Sequence, residues 1–115
     1  MARLSLALLL AGAVLLSYEL REDHQAQAVE NINGWYEALG GKPENLELRL
    51  GDIFEGIPET GVDRMILDLP EPWQAIRAGG VSDSLAAGGV FCCYLPTIPQ
   101  VSQTVEAMRR AGFSF

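Results

Sequence analysis

The sequence predicts an α/β fold, a parallel sheet with helices on either side. Three observations predict it. Segments with strand patterning alternate with segments of helical patterning along the chain. The strand-like segments read as apolar on both faces, which suits strands covered by helices. The 115 residues, 49% of them apolar, suffice for one small domain with a single core.

The elements follow in order. Ala2 to Leu10 reads as a buried helix of strong helix formers, broken at Gly12. A strand fits this uniformly apolar run equally well, because periodicity does not separate the two. Val14 to Tyr18 reads as a buried strand ending at Glu19. Glu22 to Leu39 reads as a helix, with Val29, Ile32, Tyr36 and Leu39 on one face. Glu22 and Asp23 occupy its first turn, where the helix dipole favours acids, and Gly40-Gly41 stop it. Leu46, Leu48 and Leu50 alternate with polar residues, predicting a strand that ends near Gly51-Asp52. Arg64 to Leu69 is the next strand, and Gln74 to Leu85 a weak helix interrupted at Gly79-Gly80. Gly89 to Leu95, "GVFCCYL", reads as a strand apolar on both faces. Thr97 to Ala111 is a helix opened by "TIPQ", a capping box of Thr97 and Gln100 with proline in the first turn. Val101, Val105 and Met108 form its predicted buried stripe, and "GFSF" reads as the start of another strand.

The formal net charge is −7, so the chain's overall field does not attract nucleic acid. If the protein handles nucleic acid, another segment or a partner supplies the positive surface. Cys92 and Cys93 are adjacent in a strand-like run, where neighbours point to opposite faces, so no disulfide is expected. A reducing cytoplasm is the default compartment. A second reading of the start is a signal peptide, with Arg3 as its charged end and Leu4 to Leu16 as its apolar core. Against it, the small-residue "AGA" lies inside the apolar run, and the run ends directly in Glu19. The run is too short for a comfortable membrane span.

In open α/β sheets, ligands bind beyond the carboxyl ends of the strands. Three successive predicted strands end near an acid: Glu19, Asp52 and Asp68. A carboxylate at the first suits a ribose diol, and one at the second an exocyclic amine. "MILDLPEPW" is the sharpest stretch. Asp68 sits where the hydrophobic strand stops, and Pro70 and Pro72 then stiffen the loop. Trp73 either offers a flat face for a base to stack on or simply covers the core. His24, the only histidine, lies one turn into a helix near the ligand edge. With no second histidine and no Cys-x-x-Cys, no metal site is expected.

"SYELREDH", "LGDIFEGI", "DRMILDLPEPW" and "AAGGVFCCYLPTIPQVSQTVEAMRRAGF" occur in this order. Together they resemble the catalytic domain of bacterial-type tRNA (adenine-58-N1)-methyltransferases, over about Leu4 to Phe113. "DLPEPW" together with "YLPTIPQV" is the specific part. The resemblance implies a class I S-adenosylmethionine-dependent methyltransferase fold, Rossmann-like with helices on both faces. It implies transfer of a methyl group from S-adenosyl-L-methionine to N1 of adenine 58 in the T-loop of tRNA, in the cytoplasm, by a homo-oligomer that is tetrameric in the family.

Carried over residue by residue, Glu19 resembles the acid on the cofactor ribose, and His24 lies where the family makes a further cofactor contact. Asp52 and Ile53 resemble the pair on the cofactor adenine. Asp68 resembles the catalytic carboxylate between cofactor and target adenine. Tyr94, Leu95, Pro96 and Thr97, with Trp73, fall in the target pocket. Gln100 is explained by the capping box. The family's Gly-rich loop, first strand, N-terminal β domain and last strands have no counterpart here. The resemblance thus implies that residues 1–115 are a partial catalytic domain. Alternatives are a non-catalytic tRNA-binding subunit, an inactive remnant, or an exported small domain. Glu19, Asp52 and Asp68 favour the enzyme. By itself the chain is expected to bind S-adenosylmethionine poorly or not at all, and micromolar binding in calorimetry would overturn that.

Overall fold

A computed structural model of the chain describes residues 14–41 and 44–114. These form two compact units that meet in sequence at Asp52-Ile53. The predicted Ala2–Leu10 helix and the break at Gly12 lie outside the described residues.

The first unit is β1 (Leu15–Glu19), α1 (Glu22–Glu37) and β2 (Leu46–Leu50). β1 and β2 pair in parallel, from Leu15 opposite Leu46 to Glu19 opposite Leu50. A parallel pair cannot be joined by a tight hairpin, so α1 carries the crossover. Its acidic first turn is as expected. Its apolar side presents Val29, Ile32 and Tyr36, each half-buried, while Leu39 lies past the helix end and is exposed. The Gly41 N–H closes the helix by donating to the Tyr36 carbonyl at 2.8 Å.

The second unit is a 3-10 turn (Ile53–Glu55), β3 (Val62–Leu67), α2 (Pro72–Arg77), α3 (Gly80–Ser84), β4 (Leu85–Cys93) and α4 (Ile98–Arg110). β3 and β4 are again parallel, with Met65 opposite Phe91 and Leu67 opposite Cys93. The register slips between the Val62–Leu85 and Arg64–Val90 pairs. The extra residues of β4 bulge through Gly88, whose φ of +78° suits glycine. A Cβ on Gly89 would lie 2.8 Å from the Ala86 carbonyl oxygen, so this position has no room for one. The core is Met65 and Leu67 from β3 with Trp73, Ala75, Ile76, Val81 and Ala107 from the helices. Phe91 and Phe113 pack beside it with ring centroids 5.8 Å apart.

The alternation of strands and helices is as the sequence predicts, and this is a parallel α/β, Rossmann-like arrangement. Five details differ. The strands are not buried on both faces. In β4, Phe91 and Cys93 turn inward while Val90 and Cys92 are exposed. The reason in the second unit is that its described helices share a single core with Met65 and Leu67, so they cover one face of that sheet. The predicted weak helix at Gln74–Leu85 is two short helices, because Gly79 takes a left-handed φ of +85° between them. Strand β4 begins at Leu85, upstream of the predicted Gly89. The buried face of α4 is Thr104 and Ala107, while Val101 is 40% exposed. Of the predicted stripe, Met108 packs half-buried against the core and Val105 is half-buried, so only Val101 departs, and the small Thr104 and Ala107 fill the closest contact. Phe113 and Ser114 form no strand.

Ile76 is 1% exposed at the centre of this core. Ile76→Ala is expected to destabilise the protein by about 2–5 kcal/mol in urea unfolding. Val101→Ala, on the open side of α4, is expected to change stability by less than about 1 kcal/mol.

Candidate functional site

In the first unit, both strands point their carboxyl ends to one edge. Glu19 ends β1, and the Gly51 N–H donates to the Glu19 carbonyl at 2.9 Å. That bond holds the turn carrying Asp52 beside Glu19. Both acids are half-buried. Glu19 Oε1 accepts from the Arg21 backbone N–H at 3.1 Å and lies 3.9 Å from His24 Nδ1. The Arg21 guanidinium pairs with Asp23 and holds that carboxyl below the usual carboxylate range. On the neighbouring position Arg49 donates to the Tyr18 hydroxyl at 2.7 Å and forks onto Glu47. Glu19, His24 and Asp52 therefore share one edge. Two carboxylates there suit a ligand rich in hydroxyl and amino donors.

In the second unit, Asp68 follows β3 directly and is exposed. The loop after it is fixed at three points. Pro70 and Pro72 restrict its backbone. Pro72 and Trp73 anchor its end in the core. The Gln100 side-chain amide donates to the Pro70 carbonyl at 3.0 Å. β4 runs parallel to β3, so Tyr94 to Thr97 leave the sheet at the same edge as Asp68. Tyr94 is 76% exposed, and with Cys93, Leu95, Val101, Thr104, Val105 and Met108 it lines an apolar cavity of about 300 Å³. Ile53 packs against the core of this unit.

Trp73 is a correction. Its ring is 8% exposed within the core, so it covers the core and leaves no face on which a base could stack. The reason is local: Trp73 sits in the first turn of α2, whose inner side also buries Ala75 and Ile76. The Gln100–Pro70 bond is the feature that sequence reasoning missed. Its only trace is that the capping box ends in glutamine rather than glutamate. Among the described residues, no group of three His, Cys, Asp or Glu is placed to hold a metal ion. No described helix is long and apolar enough to cross a membrane.

The model of the family described as tRNA methyltransferase complex GCD14 subunit matches residues 19–114. The chain belongs to this family. Among curated proteins it is 35% identical to the Thermus thermophilus tRNA (adenine(58)-N(1))-methyltransferase TrmI, over 94% of this chain and 42% of that protein. It is 33% identical to the catalytic subunit of the Kluyveromyces lactis tRNA (adenine(58)-N(1))-methyltransferase, over 86% of this chain and 28% of that one. This GCD14-family chain thus spans less than half the length of these relatives. Among solved structures it superposes on a SAM-dependent O-methyltransferase from Thermotoga maritima with a TM-score of 0.71 and 32% identity. That match covers 83% of this chain and 33% of the other. A putative methyltransferase from Thermoplasma acidophilum gives a TM-score of 0.73 at 26% identity, over 86% of this chain and 40% of the other.

The two cysteines of this family member differ in surroundings. Burial pushes the Cys93 thiol up to about 12, with a smaller contribution from Cys92, while Cys92 is exposed. A raised thiol pKa means the neutral form dominates at pH 8, and only the thiolate is nucleophilic. Iodoacetamide at pH 8 is expected to alkylate Cys92 about a hundredfold faster than Cys93. Fragment mass spectra of the labelled peptide check this.

Proposed function

We propose that the protein carrying this chain transfers a methyl group from S-adenosyl-L-methionine to N1 of adenine 58 of tRNA. The observation that carries the proposal is an exposed carboxylate, Asp68, at the end of a parallel strand, followed by a loop tied down at Pro70. Its setting is a chain similar to named tRNA (adenine(58)-N(1))-methyltransferases. Retention of all three acids in that setting favours an enzyme over a non-catalytic subunit.

The donor set of the first unit fits the cofactor. Glu19 would accept from the ribose hydroxyls, and Asp52 would accept from the amine of the adenine. His24, beside Glu19, would add a further contact. When bound, S-adenosylmethionine supplies an electrophilic methyl group on a sulfonium.

Adenine N1 carries an in-plane lone pair, so no side chain has to remove a proton to make it nucleophilic. The ring gains positive charge as N1 is alkylated. Asp68, accepting from the N6 amine, orients the ring and stabilises that charge. At about 4 Å and an effective dielectric near 20, the attraction is about 4 kcal/mol at most. That corresponds to roughly a thousandfold in rate. A loop fixed in advance avoids spending that energy on ordering. Tyr94, Leu95, Pro96 and Thr97 would wall the target pocket, with the exposed Tyr94 ring able to stack on a base. With a charge of −7 on this chain, the tRNA backbone would be held by basic surface elsewhere in the protein or on a second subunit. Homo-oligomeric assembly and a cytoplasmic location belong to the same proposal.

In the full-length protein, Asp68→Ala is expected to lower the single-turnover methylation rate by about a thousandfold. Binding of S-adenosylmethionine is expected to weaken but stay measurable by calorimetry. Turnover at the wild-type rate by Asp68→Ala would defeat the assignment.

A further inference from the structure

Gln100 occupies the third position of α4, where the T-x-x-Q pattern predicts a capping box. In such a box its side chain would turn back to the Thr97 backbone N–H. The observed bonds are different. Gln100 Oε1 accepts from the Thr97 hydroxyl at 2.7 Å. Its Nε2 leaves the helix altogether and donates to the Pro70 carbonyl at 3.0 Å, 30 residues away in sequence. Thr97 returns a long bond, accepting from the Gln100 backbone N–H at 3.4 Å. The Thr104 hydroxyl donates to the Gln100 carbonyl at 2.8 Å, and Thr104 is buried against the core. The Gln100 side chain is thus held at its oxygen, and its nitrogen is aimed at the loop.

The residue type carries the argument. Glutamate would fill the Thr97 side of this arrangement equally well, and the positive end of the helix dipole prefers it. Glutamate has no proton to donate to a carbonyl. Only the amide both accepts from Thr97 and donates to Pro70. Proline has no N–H of its own, so its carbonyl is the only backbone hydrogen-bonding group at that position through which the loop can be tied.

We infer that Gln100 is a positioning residue: its amide fastens the Pro70 carbonyl and thereby fixes the backbone that presents Asp68. The inference rests on the reading of Asp68 as the substrate-facing carboxylate. Gln100→Glu separates this role from helix capping, since it keeps the acceptor for Thr97 and removes the donor to Pro70.

The test compares wild type, Gln100→Glu and Gln100→Ala in the full-length protein, by nuclear magnetic resonance and by kinetics. In Gln100→Glu the thermal midpoint is expected to stay within a few degrees of wild type. The Pro70 carbonyl carbon resonance is expected to shift, and order parameters at Leu69 and Glu71 to fall from about 0.85 toward 0.6. The kcat is expected to fall tenfold or more (about 1.4 kcal/mol), with the KM for S-adenosylmethionine unchanged. An unmoved Pro70 resonance with unchanged order parameters overturns the tether. A loosened loop with wild-type kcat overturns the positioning role. If wild type itself transfers no methyl group, the proposed function fails, while the tether is still decided by the resonance data. Gln100→Ala, which loses both bonds, is expected to show the loop changes together with a lower midpoint.

Discussion

Parallel pairing of strands is the constraint on which the rest of this structure depends. Two parallel strands end at the same edge, so whatever follows one lies beside whatever follows the other. In the first unit this sets Asp52 beside Glu19. In the second it sets Tyr94 to Thr97 beside Asp68. No hairpin of the same residues would do this, because an antiparallel pair sends the carboxyl ends to opposite edges. The crossovers that parallel pairing requires also supply the helices that cover the core.

The core of the second unit is economical in volume. Its fully buried side chains include Ala75, Ile76, Val81 and Ala107, and its helices α2 and α3 are short. Small residues at the contact of α2 with α4 bring these two helices together. That contact has a consequence at the edge of the sheet. The start of α2 carries Pro72 and Trp73, and the start of α4 carries Thr97 and Gln100. Close packing of the helices therefore places the Gln100 amide within reach of Pro70. Rigidity of the Asp68 loop arises from core packing, from two prolines and from one side-chain hydrogen bond acting on five residues.

The candidate site was legible to different depths. Glu19, Asp52 and Asp68 were readable because acids at strand ends have a defined place in an α/β sheet. The N-cap at Thr97 was readable because it is a local pattern of four residues, although the Gln100 side chain does not close the box. Trp73 was ambiguous, since an aromatic after a Pro-rich turn serves a core or a ligand equally well. Its burial depends on α2, a six-residue helix too short to show periodicity. In α4 only Val101 misled, for a related reason. Hydropathy ranks Val101 above Thr104, but the neighbouring helix accepts the smaller side chain whose hydroxyl bonds its own backbone.

The sequence by itself determined the order of strands and helices, the acids at the strand ends, the proline restraint on the Asp68 loop and the family resemblance. These follow from local patterning, from the fixed φ of proline and from motifs of contiguous residues. Tertiary structure alone decided which strand faces are covered, which side of α4 is buried, that Trp73 belongs to the core and that Gln100 reaches Pro70. Each of these depends on contacts between residues far apart in the chain. Such contacts are set by how whole elements pack, a property that no short window of sequence contains.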